Sequence, residues 1–242
     1  VATFILVSGA WHGAWCWKYV SPLLRDAGHR VLAPDLPGMG ADRTPFDRTS
    51  FEAWGRSIAE LASAQSEPVV LVGHSRGGIV ISQAAEYAPQ AMQTTVYLAA
   101  MLLPNGTGMF DMVSRVPNDS AIAKAIVMTP DGLATTVGRH VVPTHFYNTT
   151  PPERVQEAEA LLTPEPLFCG TAKMKLSEER FGRVRRAYIE CLRDRSVAIE
   201  LQRIMHSELP CWHVGTLDTD HSPFFSAPQQ LAQELVTIAA KS

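Results

Sequence analysis

The sequence predicts an α/β fold: a mostly parallel, twisted sheet with helices on both faces, in one domain spanning residues 1–242, with a helical cap inserted at 102–183. Three observations predict it. Short apolar runs recur, and most precede a stretch with helical spacing, the alternation expected of strands joined by crossover helices. The runs FILV, VVLV and VYL are continuously apolar, which suits strands buried on both faces. The alternation lapses after Leu98 and resumes near Arg183, so the intervening segment lies outside the sheet.

The elements follow in order. Strands are expected at Thr3 to Ser8, Arg30 to Pro34, Pro68 to Gly73, Thr94 to Leu98, Arg185 to Cys191 and Cys211 to Val214. Helices are expected at Trp15 to Ala27, Ser50 to Ala64, Gly77 to Tyr87, Val197 to His206 and Pro228 to Ala240, with Ser50 suited to an N-cap. Within the cap, Pro104, Pro117 and Pro130 open the turn sequences PNG, PND and PDG, and Pro152 to Leu162 begins with proline in its first turn, as a helix does.

Composition narrows the function. With 46% hydrophobic and 19% charged residues, the 242-residue chain closes over a core. Lys plus Arg number 21 against 24 Asp plus Glu, a formal charge of −3, so no surplus of cations is available for nucleic acid. No apolar run is long enough to span a bilayer, and Val1 to Gly9 reads as a first strand rather than a signal peptide. Cys16, Cys169, Cys191 and Cys211 are too scattered for a disulfide framework, so reduced thiols and a cytoplasmic setting are expected. A monomer or homodimer acting on a small molecule, without nucleic-acid or membrane partners, fits this balance.

The chemistry is concentrated in Gly73-His74-Ser75-Arg76-Gly77-Gly78, which follows the run PVVLV and precedes a helical pattern. Strand, sharp turn and helix in that order present a serine hydroxyl at a strained elbow. A serine is a poor nucleophile without a base. His221, in a loop between the last strand and last helix, suits that role; His213 would point from a strand, and His206 ends a helix. Asp194, after RAYIECLR, has the chain order expected of the orienting acid, with Glu190 as the alternative. Backbone amides supply oxyanion donors: one from Arg76, after the nucleophile, and one from the first turn, where Ala10 is the candidate.

These motifs resemble the α/β-hydrolases along nearly the whole chain. Within them, SGAWHGAWCW, APDLPGMG, GHSRGG, YIECLRDRSVAIELQR and DHSPFFSAPQQLAQEL are similar to the plant hydroxynitrile lyase and methylesterase group and to bacterial xenobiotic esterases. The resemblance implies Ser75, Asp194 and His221 as a triad, Ala10 and Arg76 as oxyanion donors, and a cap over the site. Bacterial members hydrolyse pyrethroids and the methyl carbamate carbendazim, so an ester or carbamate substrate is the expectation.

Four positions depart from that group. Ser8 replaces the usual histidine of an HG pair, and Gly9 replaces the lyases' threonine. Arg76 stands where an apolar residue or cysteine is usual; its expected partners are a substrate carboxylate or aromatic face, or a cap acid such as Asp111 or Glu178. Ser222 occupies the place of the lysine that stabilises departing cyanide, which favours hydrolysis over cyanohydrin cleavage. The rival readings are a carbon–carbon lyase and a non-catalytic ligand receptor. Pocket candidates are Trp11 and His12 from the first turn, Met101, Phe110 and Phe146 from the cap, and Ser222. No metal-ligand spacing or dinucleotide fingerprint is present, so no cofactor is expected.

Overall fold

The computed structural model describes residues 1–117 and 121–242. The chain opens with β1 (Thr3–Val7), α1 (Val20–Asp26), β2 (Arg30–Leu32), α2 (Phe51–Ser63), β3 (Val69–His74), α3 (Gly77–Tyr87) and β4 (Met92–Leu98). The inserted stretch contributes α4 (Met109–Val113), α5 (Ala121–Ala125), β5 (Ile126–Met128), β6 (Ala134–Val137), α6 (Pro152–Leu161), β7 (Glu165–Pro166) and α7 (Phe168–Thr171). The core resumes with β8 (Arg186–Cys191), α8 (Ile199–Glu208), β9 (His213–Leu217), α9 (Pro223–Ser226) and α10 (Pro228–Lys241).

The main sheet runs β2-β1-β3-β4-β8-β9, and every neighbouring pair is parallel. Side chains alternate between its faces, as the two-residue period of a strand requires. Ile5, Val7, Val69 and Leu71 pack with Trp54 and Ile58 of α2, Ile81 of α3 and Leu201 of α8. Their sequence neighbours Phe4, Leu6, Val70 and Val72 pack on the other face with Leu24 of α1 and Leu231 and Leu235 of α10. Each such fully buried aliphatic side chain contributes about 1.5–3 kcal/mol.

Several boundaries differ from expectation for identifiable reasons. The helix expected from Trp15 to Ala27 is split into a 3₁₀ turn at Ala14–Trp17 and α1. Pro22 lacks an N–H and fits only the first turn of a helix, so α1 begins two residues before it. The Ser50 hydroxyl accepts from Ala53 N at 3.1 Å and caps α2 as expected. The last strand lies at His213–Leu217 because pairing with β8 carries it on to Leu217, opposite Cys191.

The inserted segment is not purely helical. β5, β6 and β7 form an antiparallel sheet of their own. Its strands are two to four residues long, and β7 contains a proline, which masks the strand pattern in the sequence. The PNG and PDG turns are present, with Gly106 at φ +78° and Gly132 at φ +72°. The PND sequence at 117–119 extends outside the described residues. Cys16, Cys169, Cys191 and Cys211 are all free thiols, and no described helix is long and apolar enough to cross a membrane.

Candidate active site

The turn from β3 to α3 holds Ser75 at φ +52°, a left-handed conformation that a side chain rarely adopts. Three backbone bonds hold it there. Ser75 N–H donates to Leu98 O at 3.2 Å, and Ser75 O accepts from Gly78 N and Met101 N at 3.0 Å each. The surrounding glycines reflect crowding: a Cβ on Gly77 would lie 2.8 Å from Ser8 O, and one on Gly78 would lie 2.5 Å from Met101 O. The elbow is thus pressed between the ends of β1 and β4, and only glycine lets the backbones approach so closely.

Asp194 and His221 reach the same end of the sheet from the loops after β8 and β9. His221 Nδ1–H donates to Asp194 Oδ2 at 2.6 Å, with both side chains buried. With Nδ1 so engaged, Nε2 is the ring nitrogen left for Ser75, which lines the same cavity as His221. The other oxygen, Asp194 Oδ1, accepts from Ser196 N at 2.7 Å and Val197 N at 2.8 Å, so the acid loop folds around its own carboxylate. Gln202 on α8 fixes the arrangement, donating to Asp194 Oδ2 at 3.2 Å and Val197 O at 2.7 Å while accepting from Cys191 N at 3.1 Å. Asp220 secures the histidine loop by accepting from Ser222 N at 3.0 Å and, across to the inserted segment, from Thr149 N at 2.9 Å. Glu190 is engaged elsewhere. Burial raises its carboxyl pKa, but bonds from His206 and Arg203 outweigh that and hold it below the usual range.

The first turn is held from several sides. Ser8 Oγ–H donates to His12 O at 3.1 Å. His12 Nδ1–H donates to Ala10 O and its Nε2 accepts from the Tyr147 hydroxyl, both at 2.6 Å. This assignment requires neutral imidazole, and burial supplies it, lowering the His12 pKa to about 4 against the backbone bond that raises it. Among the described residues, the amide N–H groups of Ala10 and Arg76 donate to no backbone or side-chain acceptor, which leaves both available for an oxyanion.

A cavity of about 20 Å³ joins these parts, lined by Ala10, Trp11, His12, His74, Ser75, Phe146, Ser196 and His221. Trp11 stacks on Phe146 with ring centroids 5.9 Å apart. Three sequence candidates do not reach it. Phe110 is 71% exposed on α4. Met101 is buried in the core beside α3, and it supports the elbow through its backbone instead. Ser222 is fully buried, with its amide tied to Asp220, because the chain turns inward there to start α9. His74 and Ser196 line the cavity without having been singled out as contacts. Ser196 follows the acid directly, and that adjacency is the signal that could have found it.

Arg76 pairs with neither Asp111 nor Glu178. Asp111 is taken by Lys173 at 2.7 Å, and the Arg76 guanidinium is buried against Glu165 of β7, with Nε 2.6 Å from Oε1. Its planar face lies over the Trp54 ring at 4.6 Å.

The sequence profile of the Alpha/beta hydrolase family matches residues 4–234. Methylesterase 1 of Arabidopsis thaliana is 34% identical over 253 residues, covering 98% of this chain and 96% of its own. Among solved structures, a mutant of polyneuridine aldehyde esterase superposes with a TM-score of 0.88 at 28% identity, covering 98% of this chain and 99% of the other. The pyrethroid hydrolase PytH gives 0.84 at 26% identity, covering 99% and 98%.

Proposed function

Because the chain belongs to the alpha/beta hydrolase family, we propose that it is a serine-dependent carboxylic-ester hydrolase. Its substrate in this reading is a small lipophilic or aromatic ester or carbamate ester, with the methyl carbamate of carbendazim among the candidates. The observation that carries the proposal is the 2.6 Å bond from His221 to Asp194, set beside a serine held at φ +52°. Buried acid, tautomer-fixed base and strained nucleophile are the parts acyl transfer requires.

In this mechanism Ser75 Oγ attacks the ester carbonyl while His221 Nε2 takes its proton, and Asp194 stabilises the imidazolium. The tetrahedral oxyanion sits between the amides of Ala10 and Arg76. Its collapse breaks the bond to the alcohol, which leaves with the proton from His221. Water then attacks the acyl-enzyme by the same route, releasing the acid and restoring Ser75.

Cavity shape supports the substrate class. The space at the serine, about 20 Å³, admits a group no larger than a water or a methyl. A neighbouring cavity of about 390 Å³ shares Ser196 with it and is lined by Val113, Val116, Pro117 and Leu201, with His145 and Arg195 as its polar members. In this reading a methyl ester or methyl carbamate places its small alkoxy group at the serine and its larger body in the neighbouring cleft, whose lining mixes apolar side chains with His145, Arg195 and Ser196. Relatives named methylesterase and pyrethroid hydrolase support an ester linkage.

A cyanohydrin lyase is disfavoured. The residue after His221 is a buried serine rather than a cation, so departing cyanide meets no charge there. The test is a hydrolysis panel of alkyl, aryl and carbamate esters with Ser75→Ala as control, alongside mass-tracked labelling by an active-site phosphonate. Turnover lost in Ser75→Ala and one phosphonate on Ser75 are expected. Cyanide release from mandelonitrile, abolished by the same substitution, would overturn the reading, as would the absence of both turnover and labelling.

A further inference from the structure

The geometry points to Arg76 and Glu165 as a positioning pair that aims the Ala10 N–H into the oxyanion hole; this rests on the ester-hydrolase reading above. The two residues are 89 apart in sequence, one on the elbow and one on the small sheet of the inserted segment. Their side chains are 2% and 7% exposed. The guanidinium makes two bonds to the carboxylate, Nε to Oε1 at 2.6 Å and Nη2 to Oε2 at 3.2 Å. A buried pair of this kind is costly to desolvate, and its retention calls for a use beyond stability.

The remaining bonds of the pair supply that use. Arg76 Nη2 donates to Gly9 O at 2.9 Å, and Glu165 Oε2 accepts from Trp11 N at 3.2 Å. Gly9 O and Ala10 N–H belong to one planar trans peptide, so they point in opposite directions. Anchoring the carbonyl on one side therefore fixes where the N–H points on the other. A charge-assisted bond to that carbonyl also polarises the peptide and strengthens its N–H as a donor. The next peptide, from Ala10 to Trp11, is held at both ends as well, its carbonyl by His12 and its N–H by Glu165. Arg76 thus supplies one oxyanion donor from its backbone and orients the other with its side chain.

The Arg76 charge is consequently spent inside the protein rather than on a substrate carboxylate. Glu165 makes the hole depend on where the inserted segment sits, because a shift of β7 moves the acceptor of Trp11 N and the partner of Arg76 together.

Three variants test the pair. Arg76→Lys keeps a cation for Glu165 but lacks the fork that reaches Gly9 O at the same time. Glu165→Gln keeps the shape without the charge. The double variant Arg76→Leu with Glu165→Leu leaves no unpaired buried charge and keeps both backbone amides. Each is assayed for kcat and KM on the best ester of the wild-type panel, for affinity toward a trifluoromethyl ketone, whose adduct with Ser75 carries an oxyanion, and for melting temperature.

The expected result for Arg76→Lys and the double variant is a loss in kcat of about 100-fold, the order seen when one oxyanion donor is removed. KM stays within about threefold, ketone affinity falls by the same factor as kcat, and the melting temperature of the double variant stays close to that of the wild type. Glu165→Gln shows the same pattern to a smaller extent. Unchanged kcat and ketone affinity in the double variant would overturn the inference, as would losses that track melting temperature across the three proteins. A wild-type protein that neither turns over esters nor takes up the phosphonate defeats the hydrolase reading instead.

Discussion

The ring of His74 donates from Nε2 to the backbone oxygen of His221 at 2.8 Å, so the residue before Ser75, the proposed nucleophile, fixes the proposed base. Their ring centroids lie 4.5 Å apart, and burial pushes the His74 pKa well below the usual imidazole range. A neutral ring with its proton on Nε2 is the form this bond needs. Replacing His74 with phenylalanine keeps a ring against Phe224, now 4.8 Å away edge-on, and removes only the donor. The loss of one buried hydrogen bond, about 1 kcal/mol, predicts a fall in kcat of roughly fivefold with KM little changed. Steady-state kinetics on the best ester substrate checks it; wild-type kcat in His74→Phe would contradict it.

Asp194→Asn has a larger expected effect because it reverses the tautomer. The carboxamide offers an N–H toward His221 Nδ1 in place of a carboxylate oxygen, and the imidazole then carries its proton on Nε2, facing the serine. A fall of about 10⁴ in kcat is the order for this change in a serine triad. Ser196 N and Val197 N keep the amide oxygen, and Gln202 Nε2, which loses the Oδ2 acceptor, still donates to Val197 O, so the melting temperature should fall far less than activity. A modest kinetic loss combined with a large thermal one would reassign Asp194 to a structural role.

What the sequence made legible is what is local along the chain. The elbow was readable because strand, glycines, serine and helix are contiguous, and α3 begins and ends where the spacing placed it. The order of acid and histidine followed from the order of strands. The small second sheet was not readable: β5, β6 and β7 are too short for an alternating pattern, and β5 is exposed along its length. Pairings across long loops were equally hidden. An ion pair with an acid of the inserted segment was one of the two readings open for Arg76, but nothing in GHSRGG singles out Glu165 over Asp111 or Glu178. Phe110 and Met101 had the right composition for a lining, but side-chain direction decides contact and the sequence pattern there did not specify it.

Gly9 ties the turn to the elbow by contact. A Cβ built there would lie 2.7 Å from His74 Nδ1 and 2.9 Å from Ser75 Cβ. Gly9→Thr, which introduces the lyases' residue, is therefore expected to push the nucleophile or the His74 ring out of place. Displacements near 1 Å cost about 100-fold in such sites, and ester hydrolysis should fall by at least that order without any gain of cyanide release from mandelonitrile. Both assays run on one preparation; retained esterase activity would show that the turn and the elbow yield more easily than their packing implies.

The buried histidines make stability depend on pH, and the direction follows from the lowered His12 pKa. In the unfolded chain His12 takes up its proton near 6.5, whereas in the folded protein burial delays that to about 4. Below 6.5 the unfolded state therefore binds more protons than the native state, and stability falls with pH until the native ring also titrates. The contribution is fully present above pH 6.5. It declines by about 2 kcal/mol by pH 5 and by about 3 kcal/mol near pH 4. His74, lowered by the same cause, acts in the same direction. Protonating His12 also converts Nε2 from acceptor to donor and costs the Tyr147 hydroxyl its acceptor. Urea midpoints should change little between pH 7.5 and 6.5 and drop from there to pH 5, and His12→Asn should flatten that fall even though it lowers stability at pH 7.5. Midpoints independent of pH across this range would mean that the imidazole is not held neutral, and the bond from Ala10 through His12 to Tyr147 would need a different assignment.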